Sequence, residues 1–490
     1  MRTARRILLL TALLLAGGAY LTLLLRNTCF FASGPDSSGY LSEAKLFASG
    51  RLTVPVAPLR ELGVDGSLID AFVPLGFFPG PHGTMVPTYP PGLPLHMAAF
   101  ALLCGWKTGP FLVSPLAAIG CLLLLYATGR ELGLPARWSA VAPLLLAPAA
   151  VFLAFAMQPM SDVLATFWIL LAICCALCAR RSGGSAYAAG AALAVAVAVR
   201  PTNALAVLPF ALAVPFERRA WRQVVSGALL PTVALLGLNA VQYGGPFRFG
   251  FASVGEVLTW RPPGICARFH LWWTMRTLTP VAAALALVMP FLRPVPVRQR
   301  LLLASWFGVF FLFYGFYDYC PAWGAIRFLL PAFPAVILAA LLVLQRGAAR
   351  LAGRGRPRLA QVLVSIAVVS ILAGEIDLTS EFRVFRVDDY ESVFPETVAW
   401  TGRLVPSNAL VVSGVFSGAF FYYGRWTVRW DRLDADRFML LRADAGNAGR
   451  RWYAVVSDGE VTREEFLERL PGIWTPVGRN RDVTLYRLDS

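Results

Sequence analysis

Runs of roughly 20 apolar residues, the length a helix needs to cross hydrocarbon, recur through the first 375 positions, separated by short arginine-bearing links. A chain patterned this way folds as a bundle of helices with a bilayer as its solvent. Composition agrees: 57% of the 490 residues are hydrophobic and 15% are charged, with a mean hydropathy of +0.61. A soluble globule of ordinary surface-to-volume ratio does not tolerate such values.

The net charge of +16 does not mark a nucleic-acid binder, because its carriers are small arginine clusters at the ends of apolar runs. They read as topology determinants. The links at 129–137 (GRELGLPAR), 179–181 (ARR), 216–222 (FERRAWR), 293–300 (RPVPVRQR) and 345–358 (QRGAARLAGRGRPR) all belong in the cytoplasm by the positive-inside rule. Spans at 110–129, 138–156, 161–179, 186–200, 202–216, 223–241, 271–292, 300–317, 328–345 and 359–375 then alternate without contradiction. The segment 7–25, which follows Arg2, Arg5 and Arg6 and lacks a small-x-small cleavage site, reads as a retained signal anchor with its N-terminus inside. About eleven spans result.

This alternation requires that LPLHMAAFALLCG at 93–105 does not cross, and it is too short to do so. It reads as an interfacial helix closing a long first outer loop at 26–109. The fold class is therefore an α-helical polytopic membrane protein, with a membrane domain at 1–375. Residues 376–490 then lie outside, and their composition changes. NALVVSGVFSGAFFYY, RWYAVVSD and DVTLYRL read as strands and TREEFLERL as an amphipathic helix, together a small α/β domain. No phosphate loop of recognised spacing occurs in it.

Acids on the outer side are the candidates for chemistry. Asp36, in GPDSSGYLSEAKLFASGRL with Tyr40, Glu43 and Lys45, stands just past the first span. It reads either as a cap of the helix starting near Ser37 or as a base that takes a proton from an incoming hydroxyl. Asp162, in MQPMSDVLATFW, reads either as a first-turn acid favoured by the helix dipole or as a site residue. For a lipid phosphate the outer cations are Arg327, Arg200 and Lys45, although an arginine at a helix end often only snorkels. His82, Tyr89 and His96 flank a Pro-Pro turn in the outer loop. Trp260, Trp272 and Trp273 fit an aromatic belt. Cys174, Cys175 and Cys178 pack inside an apolar run, whereas Cys266 and Cys320 share the outer side, where a disulfide is permitted.

The order D-S-x-x-Y-x-x-x-A (36–44), Y-P-P-G-x-P (89–94), P-M-S-D (159–162), V-R-P-T-N (199–203) and R-F-L-L-P (327–331) resembles the GT-C superfamily of membrane glycosyltransferases. The likeness is to its family 39-like enzymes and covers about residues 1–345. It implies a polyprenyl-phosphate-linked sugar as donor and a lipid, glycan or protein as acceptor. It further implies Asp36 as catalytic base, Asp162 in support, and Arg327 with Arg200 on the donor phosphate; Lys45, Tyr40, His82 and Tyr89 are further binding candidates. Relatives often carry two adjacent acids in the first loop, but Ser37 follows Asp36 here. Asp65 and Asp70 lie in the same loop without a spacing that selects them.

Two isolated carboxylates leave divalent-metal dependence open. A transporter or lipid flippase fits many spans equally well, although the acids gather on one side and broken helices do not recur in two halves. A scaffold displaying the C-terminal domain needs only one span. Lys45 and Lys107 are the only lysines, a bias of GC-rich bacterial genomes that points to the inner membrane.

Overall fold

The computed structural model describes residues 2–250, 264–317, 323–447 and 449–489. Trp260 and Cys320 fall outside the described residues, so the belt position and the disulfide assigned to them are not addressed by it. The helices used below are α1 (Arg2–Arg26), α2 (Pro35–Ala48), α3 (Gly92–Cys104), α4 (Gly109–Glu131), α5 (Ala150–Ala156), α6 (Ser161–Cys178), α7 (Gly183–Val199), α8 (Arg218–Tyr243), α9 (Phe333–Gly353), α10 (Pro357–Glu381) and α11 (Ser417–Tyr422). The chain forms two compact units.

The first unit comprises Met1–Thr28, Phe111–Leu235 and Ala252–Val387. Among the described residues, five helical segments are long and apolar enough to cross a membrane: Gly109–Glu131, Ser161–Cys178, Arg218–Tyr243, Trp323–Gly353 and Pro357–Leu404. Counting each of two bent pairs as one span brings the number to seven. Leu14–Arg26, Gly183–Val199 and Pro201–Ala213 are apolar but shorter.

Each bend has a local cause. The span expected at 138–156 breaks by 68° between Ala136–Leu146 and Ala150–Ala156, where Pro148 interrupts the chain. In hydrocarbon the freed backbone groups need partners. Glu375 of α10 accepts from Ala150 N at 3.2 Å, and Thr379 Oγ1 donates to Pro148 O at 3.2 Å. The other pair, Cys266–Thr277 and Thr279–Phe291, turns by 109° at Thr279, whose φ of 63° takes the backbone out of the helical region. Thr279 Oγ1 then accepts from Ala282 N at 3.4 Å and restarts the helix.

The second unit comprises Cys29–Pro110, Leu236–Phe251 and Asp388–Ser490, so the loop after α1 and the C-terminal segment share one body. Pro35 at the first turn starts α2. Gly105, at φ 78°, ends α3. A three-stranded antiparallel sheet of β1 (Val54–Pro55), β2 (Phe77–Pro79) and β3 (Thr84–Pro87) has the order β1-β3-β2. A second sheet of β4 (Leu410–Ser413), β5 (Trp452–Ser457), β6 (Trp474–Asn480) and β7 (Val483–Leu488) has the order β4-β5-β7-β6. Here β4 runs parallel to β5, and the other pairs are antiparallel.

One hydrophobic core joins the two sequence regions: Leu68, Phe72, Phe77 and Met85 of the outer loop pack with Phe438, Trp452, Phe466 and Trp474. The structure corrects one element expected from sequence. In NALVVSGVFSGAFFYY the strand ends at Ser413, and Ser417–Tyr422 is helix. Its small residues Ser417 and Gly418 allow close packing on α2: a Cβ at Gly418 would lie 2.5 Å from Ser38 Oγ.

Gly39 is the tightest point of α2. An added Cβ would collide with the Tyr89 ring and stand 3.0 Å from the Gly76 Cα. Gly39→Ala is therefore expected to destabilise the second unit by about 1–3 kcal/mol, the usual cost of overpacking. Thermal unfolding of the purified protein checks this, and an unchanged midpoint would contradict the packing.

Candidate active site

The candidate residues fall into two groups, one in each unit. In the second unit, Asp36 occupies the first turn of α2 but does not cap it; the N-cap is Gly34, with no side-chain hydrogen bond. Its carboxylate instead accepts from Tyr89 Oη at 2.7 Å. The Tyr89 ring rests on Tyr40, with centroids 4.5 Å apart and planes tilted by 37°. Asp36 and Tyr40 are four residues apart on α2 and so share a face. Tyr89 reaches that face from the Pro-Pro turn before α3, which packs along α2. The three residues thus form one arrangement in which a carboxylate is held by a phenol at the start of a helix, where the helix dipole favours its negative charge.

The other loop acids are committed elsewhere. Asp65 caps the turn Gly66–Leu68 and accepts from Ser67 N at 2.6 Å. Asp70 is in an ion pair with Arg437. Lys45 donates from Nζ to Tyr422 O at 3.0 Å, and the same ammonium lies 3.6 Å from the Tyr422 ring centroid. His82 takes a left-handed φ of 56° in the Pro81–Gly83 turn and lines a separate cavity of about 550 Å³ with Arg60 and Glu61. His96 sits on α3 with Nδ1 2.6 Å from Gly92 O. Among the described residues no group of three or more His, Cys, Asp or Glu is placed to hold a metal ion.

Glu43, seven residues beyond Asp36 and on the same face of α2, is the acid whose environment sequence reasoning missed. It is fully buried, and neither carboxyl oxygen has a hydrogen-bond partner among the described residues. Burial holds its carboxyl well above its ordinary value of 4.5. A raised folded-state value gives stability that is complete below the unfolded value and is lost as pH rises through the folded one. Glu43→Gln cannot ionise. Its thermal midpoint is therefore expected to match wild type near about pH 4 and to exceed it at about pH 8. A midpoint below wild type at both values would show that Glu43 is a charged, paired group.

In the first unit, Asp162 lies in the first turn of α6 and forms an ion pair with Arg200, the residue that ends α7. Their side chains are only 2% and 15% exposed. The Arg200 guanidinium stands 5.1 Å from the centre of the Phe328 ring. Arg327 stands 5.3 Å from the same ring and 5.4 Å from that of Phe155 on α5. Phe328 stacks on Tyr314 at 5.2 Å, and Tyr314 Oη donates to Thr202 Oγ1 at 2.8 Å. The motifs P-M-S-D, V-R-P-T-N and R-F-L-L-P thus converge on one aromatic ring carrying two arginines. His270, buried beside Tyr314 with ring centroids 6.3 Å apart, belongs to the same group. As one of three histidines it offered a signal in its rarity, but its apolar setting hid it.

Two arginines around an aromatic face, one of them oriented by a buried carboxylate, form a site suited to an anion. A carboxylate set at a helix start by a tyrosine is suited to accept a proton. The same two features occur on a known architecture. ArnT from Cupriavidus metallidurans, whose structure was determined with undecaprenyl phosphate bound, superposes with a TM-score of 0.64 at 16% identity over 97% of this chain and 98% of that one. The fold is that of the GT-C glycosyltransferases.

The oligosaccharyltransferase of Archaeoglobus fulgidus, captured with a tethered acceptor peptide, gives a TM-score of 0.57 at 11% identity over 91% of this chain and 69% of that one. The arabinofuranosyltransferase AftD from mycobacteria gives 0.50 at 16% identity, covering 92% of this chain and 41% of that one. No family model matches the sequence, and no curated protein does. This GT-C fold is therefore legible in the backbone and in five short motifs, but not in overall sequence similarity.

Proposed function

We propose that the protein is an inverting glycosyltransferase that moves a sugar from a polyprenyl-phosphate donor to an acceptor hydroxyl on the outer face of the bacterial inner membrane. The observation that carries this reading is Asp36, held by Tyr89 at the start of α2 on a GT-C fold. Its N-terminus is cytoplasmic and its C-terminal domain, residues 376–490, is extracytoplasmic. Eleven spans satisfy the arginine links if α1, α7, the stretch 202–216 and Val297–Gly315 cross alongside the five long segments and the two bent pairs.

In the reaction, Asp36 takes the proton of the acceptor hydroxyl as its oxygen attacks the anomeric carbon. The bond from that carbon to the phosphate oxygen breaks, and its electron pair leaves on polyprenyl phosphate. The configuration at carbon inverts. Arg200 and Arg327 offset the charge gathering on the departing phosphate, and Asp162 orients Arg200. Tyr40 and Tyr89 fix the base. The chemistry calls for no redox step and no nucleotide.

Transport is the competing reading, and the two broken helix pairs are a feature that transporters share, which the sequence did not show. Intramembrane acids often mark ion or substrate paths. The buried acid of α10, Glu375, instead closes the helix start at Ala150. The test is transfer of radiolabelled sugar from a panel of polyprenyl-phosphate sugars by membranes containing the protein. Label moved into a lipid, glycan or protein fraction supports the proposal. If protein that inserts normally moves no label from any donor, the proposal fails.

A further inference from the structure

Away from the candidate site, a crevice of about 470 Å³ opens in the first unit between α9, α10 and the short helix Ala136–Ser139. This is within the roughly 300–1,000 Å³ typical of ligand sites. Its lining is mixed: Arg137, Trp138, Gln345 and Gln361 supply polar groups, and Ala348, Val364 and Val368 are among the apolar residues. Val364 and Val368, four residues apart, stand on one face of α10. Small residues on α9 leave room between the helices for a slender chain.

Two of the arginine links contribute to the lining. Between α9 and α10 the stretch 345–358 carries Arg346, Arg350, Arg354, Arg356 and Arg358 and no acid. Among the described residues neither these arginines nor Arg137 form an ion pair. These six arginines therefore stand on the two links that contribute to the crevice, Arg137 in its lining, and the one acid of these links, Glu131, is paired with Arg181. In a bilayer this calls for an anionic headgroup at the cations and an acyl chain along the valines.

We propose that this crevice is a binding site for an anionic glycerophospholipid of the leaflet that faces the arginine links, the cytoplasmic one by the positive-inside rule. Its headgroup phosphate engages Arg137, with the arginine link supplying the surrounding positive field. Trp138 sits at the interface, as tryptophan does at membrane boundaries. One acyl chain lies between Ala348 and the Val364–Val368 face. The site is independent of the sugar-transfer reading, since it uses none of the residues assigned to it.

The test uses the full-length protein in nanodiscs and measures retained lipid by native mass spectrometry, with phosphatidylglycerol and phosphatidylcholine as the two probes. Wild type is expected to retain phosphatidylglycerol in preference to phosphatidylcholine. Arg137→Gln is expected to weaken phosphatidylglycerol retention by about fivefold, the contribution of one interfacial arginine. Ala348→Trp, which fills the crevice, should abolish the preference. Val368→Phe serves as a second blocking variant if the first does not fold. Equal retention of both lipids by wild type would overturn the proposal, as would a preference unchanged in Arg137→Gln and in a folded blocking variant. Retention of polyprenyl phosphate in place of phosphatidylglycerol would also overturn it.

Discussion

Asp36→Asn is expected to lower sugar transfer by about 10²- to 10⁴-fold, the contribution of a positioned general base, with no loss of folding or membrane insertion. The amide has the size of the carboxylate, and its oxygen still accepts the hydrogen bond that Tyr89 donates at 2.7 Å. What disappears is the ability to take a proton. The loss should therefore fall on kcat, with the KM for donor little changed. Tyr89→Phe removes only the group that orients the carboxylate, so its loss should be smaller. Transfer by Asp36→Asn within tenfold of wild type would remove Asp36 from the role of base.

The second large effect is on stability. The Asp162–Arg200 pair is nearly buried, and removing one member leaves the other as an uncompensated charge. Asp162→Ala is expected to cost about 3–5 kcal/mol, read as a lowered midpoint in thermal or denaturant unfolding. The double variant Asp162→Leu with Arg200→Met, which replaces both charges by apolar groups of similar size, should recover most of that stability. It should not recover transfer, because the cation beside Phe328 is gone. A cost below about 1 kcal/mol for Asp162→Ala, the range of exposed pairs, would contradict the burial of this pair.

The sequence revealed the helical membrane architecture because bilayer helices carry their own signal: length, apolarity and flanking arginines are all local. The short apolar stretch at 93–105 was also legible as a helix, and α3 has that extent, Gly92–Cys104. The bends were not legible. Pro148 and Thr279 mark them, but whether a proline breaks or only kinks a helix depends on partners such as Glu375, more than 200 residues away. FFYY at 420–423 reads as strand from its aromatic content, yet packing against α2 through Gly418 selects helix.

Site residues divide in the same way. Asp36, Asp162, Arg200 and Arg327 stood out because charges next to apolar runs are scarce. Their partners did not stand out, since Tyr89 and Asp36 are 53 residues apart and Arg200 and Asp162 are 38 apart. Lys45 looked like a phosphate ligand, and only the structure places its ammonium on Tyr422. Glu43 stood in the same stretch as Asp36, but its complete burial is a tertiary property that no local pattern encodes.

The most direct test of the central claim is release of polyprenyl phosphate from a polyprenyl-phosphate sugar by the purified protein in detergent, with an acceptor-bearing membrane extract supplied. Detergent removes the two compartments that transport requires, so only bond cleavage gives a signal. Wild type should release polyprenyl phosphate in step with sugar transfer, and Asp36→Asn should release almost none. If wild type releases none in detergent but moves the intact lipid-linked sugar across sealed vesicles, the protein is a transporter on a GT-C fold and the account given for Asp36 is wrong.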